Sequence, residues 1–193
     1  MLFRSKTLRW TARYVVYRMP FVKTRVINEF NETFDKPAVI IANHQSHIDL
    51  MFMMMLNPKL IILTNQWVWR SPFYGGIIRY ADFYPVANGI ENSIDRLRPM
   101  VEQGYSVVIF PEGTRSETGY INRFHKGAFF LAEKLGLDIL PVITHGIGFA
   151  LPKSELILRK SNVTVKILER ISPSDNQYGV DYVERSKQIR KLF

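Results

Sequence analysis

Five consecutive apolar residues, Ala38-Val39-Ile40-Ile41-Ala42, run into the polar turn Asn43-His44-Gln45-Ser46-His47-Ile48-Asp49 and out into Leu50-Met51-Phe52-Met53-Met54-Met55-Leu56. A short apolar run bounded by Pro37 and then by polar residues predicts a buried strand. The Met-rich run suits a helix, because unbranched Met and Leu lose little rotamer freedom there. A buried strand that feeds a helix through a turn bearing two histidines and an aspartate constrains the fold strongly. Layered α/β folds place their chemistry at the carboxyl ends of such strands.

The rest of the chain repeats the pattern. Apolar segments at residues 59–64, 83–86, 105–110 and 139–143 predict strands, with Pro85 placing the second of these at a sheet edge or strand end because proline lacks a ladder donor. Residues 163–168 alternate with period two and predict a half-buried edge strand. Helices are expected over residues 72–80, opened by Pro72, over 91–103, stopped by Gly104, over 128–135, closed by Gly136, and over the tail 181–193. Strands alternating with helices argue for an α/β fold: a sheet flanked by helices. With 193 residues the chain has enough length for one domain with a sizeable core. The uncapped tail ending Leu192-Phe193 suits a domain cut from a longer polypeptide.

The formal net charge of +9 calls for an anionic partner: a membrane surface, a phosphorylated substrate or nucleic acid. The absence of cysteine excludes disulfides and thiolate metal sites. Much of the charge lies in the first thirty residues, where Arg4, Lys6, Arg9, Arg13, Arg18, Lys23 and Arg25 face only Glu29 and alternate with Trp10, Tyr14, Tyr17 and Phe21. Residues 1–24 therefore fit an interfacial helix lying on an anionic bilayer. They equally fit an amphipathic helix packed on the domain's own core, residues 25–193. Nucleic-acid binding rests on charge alone, since no recognition motif accompanies it. No apolar window approaches the ~20 residues that a membrane-spanning helix needs.

Two stretches carry chemistry. In the first, Asp49 can fold back from a helix start onto His44, hold one imidazole nitrogen protonated and leave the other free as a general base. No Gly-x-Ser-x-Gly elbow and no cysteine supplies a nucleophile, so such a pair would activate a substrate hydroxyl directly. His47 lacks the His-Glu-x-x-His context of a helical zinc site and is assigned a structural or substrate-lining place, with no metal expected. The second stretch, Pro111-Glu112-Gly113-Thr114-Arg115-Ser116, follows the strand at 105–110 and offers backbone N–H groups, a hydroxyl and a guanidinium in one turn. That set suits a phosphate or phosphate-linked polyol, with Arg115 as a bidentate donor. It equally describes a tight turn whose Glu112 and Arg115 pair with each other.

With both stretches in view, the chain resembles the phospholipid/glycerol acyltransferase family, the lysophospholipid acyltransferases typified by 1-acylglycerol-3-phosphate acyltransferases. Asn43, His44 and Asp49 match its Asn-His-x-x-x-x-Asp motif. Phe110 to Ser116 match its Phe-Pro-Glu-Gly-Thr-Arg-Ser motif. Phe124, Lys126, Gly127 and Ala128, and then Pro141 and Val142, follow in family order. The resemblance implies a mainly parallel twisted sheet flanked by helices, glycerol-3-phosphate acyltransferase-like, and direct transfer of a fatty acyl group to an acceptor hydroxyl without an acyl-enzyme. By resemblance His44 and Asp49 are catalytic, and Glu112, Gly113, Thr114, Arg115 and Lys126 bind the acceptor. No bound cofactor is implied; acyl-CoA or acyl carrier protein is the donor substrate. The acceptor is a lysolipid, foremost 1-acylglycerol 3-phosphate. The implied setting is an anionic membrane surface on the cytoplasmic face of the cell membrane, with no nucleic acid as partner. The chain departs from the family where a second-motif arginine gives way to Asn88, a loss of a bidentate cation. A different hydroxylated lipid acceptor, or a non-catalytic lipid-binding domain of a larger protein, stands as the alternative.

Overall fold

The computed structural model describes residues 2–65, 83–86 and 90–193. The expected helix at 72–80, the Trp67/Trp69 loop and Asn88 lie outside these residues. Helix α1 spans Leu2–Arg18, followed by strand β1 (Val22–Asn28), β2 (Ala38–Ala42), α2 (Asp49–Leu56), β3 (Leu60–Asn65) and β4 (Phe83–Val86). A 3₁₀ turn then leads into α3 (Ile94–Glu102), β5 (Ser106–Ile109), α4 (Gly127–Leu135), β6 (Asp138–His145), the short α5 (Ile147–Ala150), β7 (Ser161–Ile167) and α6 (Tyr182–Ile189).

Among the described residues the strands form one seven-stranded sheet in the order β1-β7-β6-β2-β5-β3-β4. Only the β6–β7 pairing is antiparallel. The wholly apolar sequence of β2 is explained by its central place: all five residues are buried, with helices on both faces. Ala38, Ile40 and Ala42 point to a core shared with α1, α2 and α5. Val39 and Ile41 point to a second core shared with α3, α4 and α6.

Two expectations change. The segment assigned to residues 1–24 as a helical unit ends earlier: β1 begins at Val22, and Val22 to Asn28 pair in parallel with Ser161 to Ile167. Because β1 covers it, β7 is an internal strand and not an edge. The clean alternation of β7 has a different origin. Val163, Val165 and Ile167 face one core while the residues between them are only half covered on the other face. Pro85 does sit on an edge strand, β4.

This topology prepares a crevice. The connection from β2 passes over the first face through α2 to β3, and that from β5 passes over the second face through α4 to β6. Adjacent strands whose connections leave toward opposite faces mark the switch point where α/β proteins bind ligands. Gly146, which ends β6 at this edge, has φ +83°, and a Cβ there would stand 2.2 Å from the carbonyl oxygen of Asn162. Gly146→Ala combines a left-handed backbone with a backbone clash and is expected to cost at least ~2–4 kcal/mol, read as a lowered urea midpoint.

Candidate active site

His44 lies just beyond the carboxyl end of β2. Asp49, fully buried, is the first residue of α2, where a carboxylate meets the positive end of the helix. The turn 45–48 folds the two together. Asp49 Oδ2 accepts from His44 Nδ1 at 2.7 Å, from the Gln45 amide at 2.7 Å and from the Ser46 amide at 2.9 Å. Three N–H donors on one oxygen fix the tautomer, since a carboxylate oxygen only accepts and Nδ1 must therefore carry the proton. His44 Nε2 is left with its lone pair and has no hydrogen-bond partner among the described residues. The ring stacks on Phe110 at 4.3 Å and is about one-fifth exposed.

The loop after β5 is fastened to this turn. Glu112 Oε1 accepts from the His44 amide at 2.7 Å, Oε2 accepts from the Asn122 amide at 2.8 Å, and the Ser116 amide donates to the His44 carbonyl at 2.8 Å. Burial pushes the Glu112 carboxyl above its usual range, and the two amides pull the other way. Glu112 is thus 3% exposed and engaged at both oxygens. Its placement is that of a brace between the two loops.

The other predicted residues divide. Gly113, at φ +70°, and Thr114 are exposed on the loop, and a Cβ at Gly113 would stand 3.2 Å from the His125 ring. Arg115 is half-buried; its Nη1 donates to the Lys153 carbonyl at 3.3 Å. Arg115 lies close enough to His47 that, with burial as the larger cause, it holds that imidazole below its usual range. Lys126 is directed elsewhere: its exposed ammonium lies 5.9 Å from the ring centroid of Tyr182 on α6. Among the described residues, no three His, Asp or Glu side chains converge as a metal site.

Three participants were not predicted. Asn43 donates to the Thr144 carbonyl at 2.9 Å and accepts from the Thr144 amide at 2.8 Å, tying the end of β2 to that of β6. Ser46 Oγ donates to the Leu151 carbonyl at 2.7 Å. His125 packs over Gly113. In the sequence Asn43 is visible as a motif residue but without a role, and Ser46 and His125 only as neighbours of motif residues, because a side chain's use of a distant backbone leaves no periodicity.

A family model described as Acyltransferase matches residues 22–145, which include both loops. The chain belongs to this acyltransferase family. It is 32% identical over 161 residues to 1-acyl-sn-glycerol-3-phosphate acyltransferase LPAT1, chloroplastic, of Arabidopsis thaliana, covering 80% of this chain and 45% of that protein. It is 30% identical over 145 residues to the human 1-acyl-sn-glycerol-3-phosphate acyltransferase beta, covering 72% and 52% respectively. The crystal structure of the 1-acyl-sn-glycerophosphate (LPA) acyltransferase PlsC from Thermotoga maritima shares the fold, with a TM-score of 0.75 at 23% identity over 97% of this chain and 77% of that one. The chain spans about half the length of the curated relatives it matches.

In this acyltransferase, replacing Glu112 by Gln turns one acceptor into an NH₂ that faces a backbone N–H. Glu112→Gln is expected to lower stability by about 1–3 kcal/mol, measured by urea denaturation.

Proposed function

We propose that the chain transfers a fatty acyl group from an acyl thioester, acyl-CoA or acyl carrier protein, to the hydroxyl of a lysophospholipid, with 1-acylglycerol 3-phosphate as the leading acceptor. The observation that carries this reading is the 2.7 Å contact between His44 Nδ1 and the buried Asp49 Oδ2, which leaves Nε2 unpartnered at the sheet's switch point. Nε2 takes the acceptor's hydroxyl proton, and the oxygen attacks the thioester carbonyl carbon. The resulting tetrahedral adduct collapses with cleavage of the C–S bond. The proton held on His44 then passes to the departing sulfur, so thiol and ester are the products. Asp49 stabilises the imidazolium in between. Membership of the acyltransferase family and its similarity to 1-acyl-sn-glycerol-3-phosphate acyltransferases support the choice of acceptor.

Arg115 and His47 line the same loop system, and Arg115 is assigned to the acceptor's phosphate by its bidentate donor geometry. Helix α1 supports a membrane-surface setting on an anionic, cytoplasmic-facing leaflet. Leu8, Ala12 and Val16 pack on the core, whereas Trp10, Tyr14 and Tyr17 are exposed. Arg13 lies 5.5 Å from the Tyr17 ring centroid and Arg18 5.3 Å from that of Tyr14. Exposed aromatics interleaved with cations suit the headgroup region of an anionic leaflet. No helix among the described residues is long and apolar enough to cross a membrane.

His44→Ala is expected to lower kcat by about 10²–10⁴-fold while circular dichroism stays unchanged and the loss of a donor to Asp49 lowers stability by about 1–3 kcal/mol. Retention of most turnover in a mass-spectrometric assay with either donor would remove the base from the mechanism. Arg115→Ala is expected to raise KM for 1-acylglycerol 3-phosphate selectively. An equal effect on a neutral lysolipid would reassign that guanidinium.

A further inference from the structure

The segment between β6 and β7, residues 146–160, begins and ends at the edge of the sheet that carries the active site. Ala42 at the carboxyl end of β2 pairs with Val142, and β7 returns antiparallel from Ser161. The segment is fastened to both catalytic loops. The Leu151 carbonyl accepts from Ser46 Oγ, the Lys153 carbonyl accepts from Arg115, and Lys153 Nζ pairs with Glu117 at 2.7 Å. Gly148 sits against Gln45, where a Cβ would meet the glutamine side chain at 3.1 Å.

A wall so firmly held buries Ile147 and Leu151 yet presents three other large apolar side chains to solvent. Leu156 is 86% and Ile157 77% exposed, and Phe149 is 59% exposed beneath the guanidinium of Arg159. Leu156 and Ile157 lie between Lys153 on one side and Arg159 and Lys160 on the other, with Glu155 the one acid in the segment. The segment also adjoins α1. The amide of Ser161, where it ends, donates to the carbonyl of Phe21 at 2.9 Å, and Phe21 itself is exposed just beyond the helix. Aliphatic side chains on a wall fastened to a polar site, beside Lys160 and the ion-paired Lys153 and Arg159, match one occupant: the acyl region of a bilayer beneath an anionic headgroup layer.

We infer that the 146–160 segment is a second membrane-contacting element, which inserts Leu156 and Ile157 into an anionic lipid surface and turns the His44 mouth toward it. This rests on the membrane-surface reading above and extends it from a docking helix to an orientation of the catalytic edge. A lysolipid in that surface then meets the loops that carry His44, and Arg115, tied to the Lys153 carbonyl of the same wall, meets its phosphate. The inserted side chains order no new backbone, because the segment is already held to both loops.

The chain contains no cysteine, so single cysteines report unambiguously. Leu156→Cys, labelled with an environment-sensitive fluorophore, is mixed with vesicles of phosphatidylcholine and phosphatidylglycerol, and bound protein is measured in parallel by sedimentation. Asp35→Cys, on the exposed loop at the opposite edge of the sheet, is the control. The expected result is a blue shift at position 156 and none at 35. Bound protein with an unshifted probe at 156 overturns the insertion alone, whereas absence of vesicle binding by the unsubstituted protein overturns the membrane reading beneath it. The double variant Leu156→Asp/Ile157→Asp should keep its unfolding midpoint and its turnover of a dispersed short-chain acceptor, but lose about tenfold in vesicle affinity. Unchanged affinity likewise overturns the proposal.

Discussion

The arrangement of the catalytic edge depends on one buried oxygen. Asp49 Oδ2 gathers the imidazole Nδ1–H and the amides of Gln45 and Ser46, and so converts a flexible polar turn into a fixed one. An uncompensated carboxylate would not survive in this position. Three donors and the amino terminus of α2 make its charge tolerable, and the same three contacts set the orientation of His44. The tautomer and ring position of the candidate base therefore follow from the local fold.

That turn is positioned in turn by its neighbours. Asn43 locks the end of β2 to Thr144 on β6, and Glu112 locks His44 to the loop after β5. The three central strand ends are thus joined by side chains that replace the ladder hydrogen bonds lost where the strands splay apart. Asn43 and Glu112 are among the polar residues buried here; both bond to backbone groups, and Asn43 also accepts from the Thr144 hydroxyl. A site assembled from three strands can hold its geometry without the reacting molecule, which is the preorganisation that proton transfer at a fixed nitrogen requires.

Much of this was legible in the residues. The apolar run 38–42 appears at those bounds as β2, Asp49 opens α2, and Gly136 ends α4 in the left-handed conformation. These features are local, so periodicity and backbone preference reveal them. β1 escaped because its residues, Val22-Lys23-Thr24-Arg25-Val26-Ile27-Asn28, carry the same mixture of cations and apolars as the helix before it. What makes them a strand is pairing with β7, some 140 residues away. Missing β1 made β7 look like an edge. The bracing contacts of Glu112 were hidden for a related reason. A carboxylate beside Gly, Thr and Arg has the composition of a ligand site, and only tertiary structure reveals that both its oxygens are already engaged. Lys126, next to His125 in the chain, lies over Tyr182 on α6, a contact that the motif does not reveal.

Helix α1 resolves an ambiguity that composition left open between packing and membrane contact. Residues 8, 12 and 16 form one narrow stripe on the core, and Arg9 Nε reaches back to the Met55 carbonyl. Residues 10, 14 and 17 form a second stripe that faces outward, with Trp10 stacked on Tyr14 at 5.7 Å. A helix that is apolar on two faces has no single hydrophobic side, so amphipathicity cannot separate its two roles. The structure gives the inner stripe to packing and leaves the outer one exposed. The inner stripe is the more constraining of the two: α1 is part of the domain that buries α2, so the helix cannot leave for a bilayer without uncovering the core. Any membrane contact must therefore be made with the whole domain attached. A rigidly attached helix fixes how the rest of the protein meets the surface, which is why the orientation of the His44 edge becomes a property of the fold.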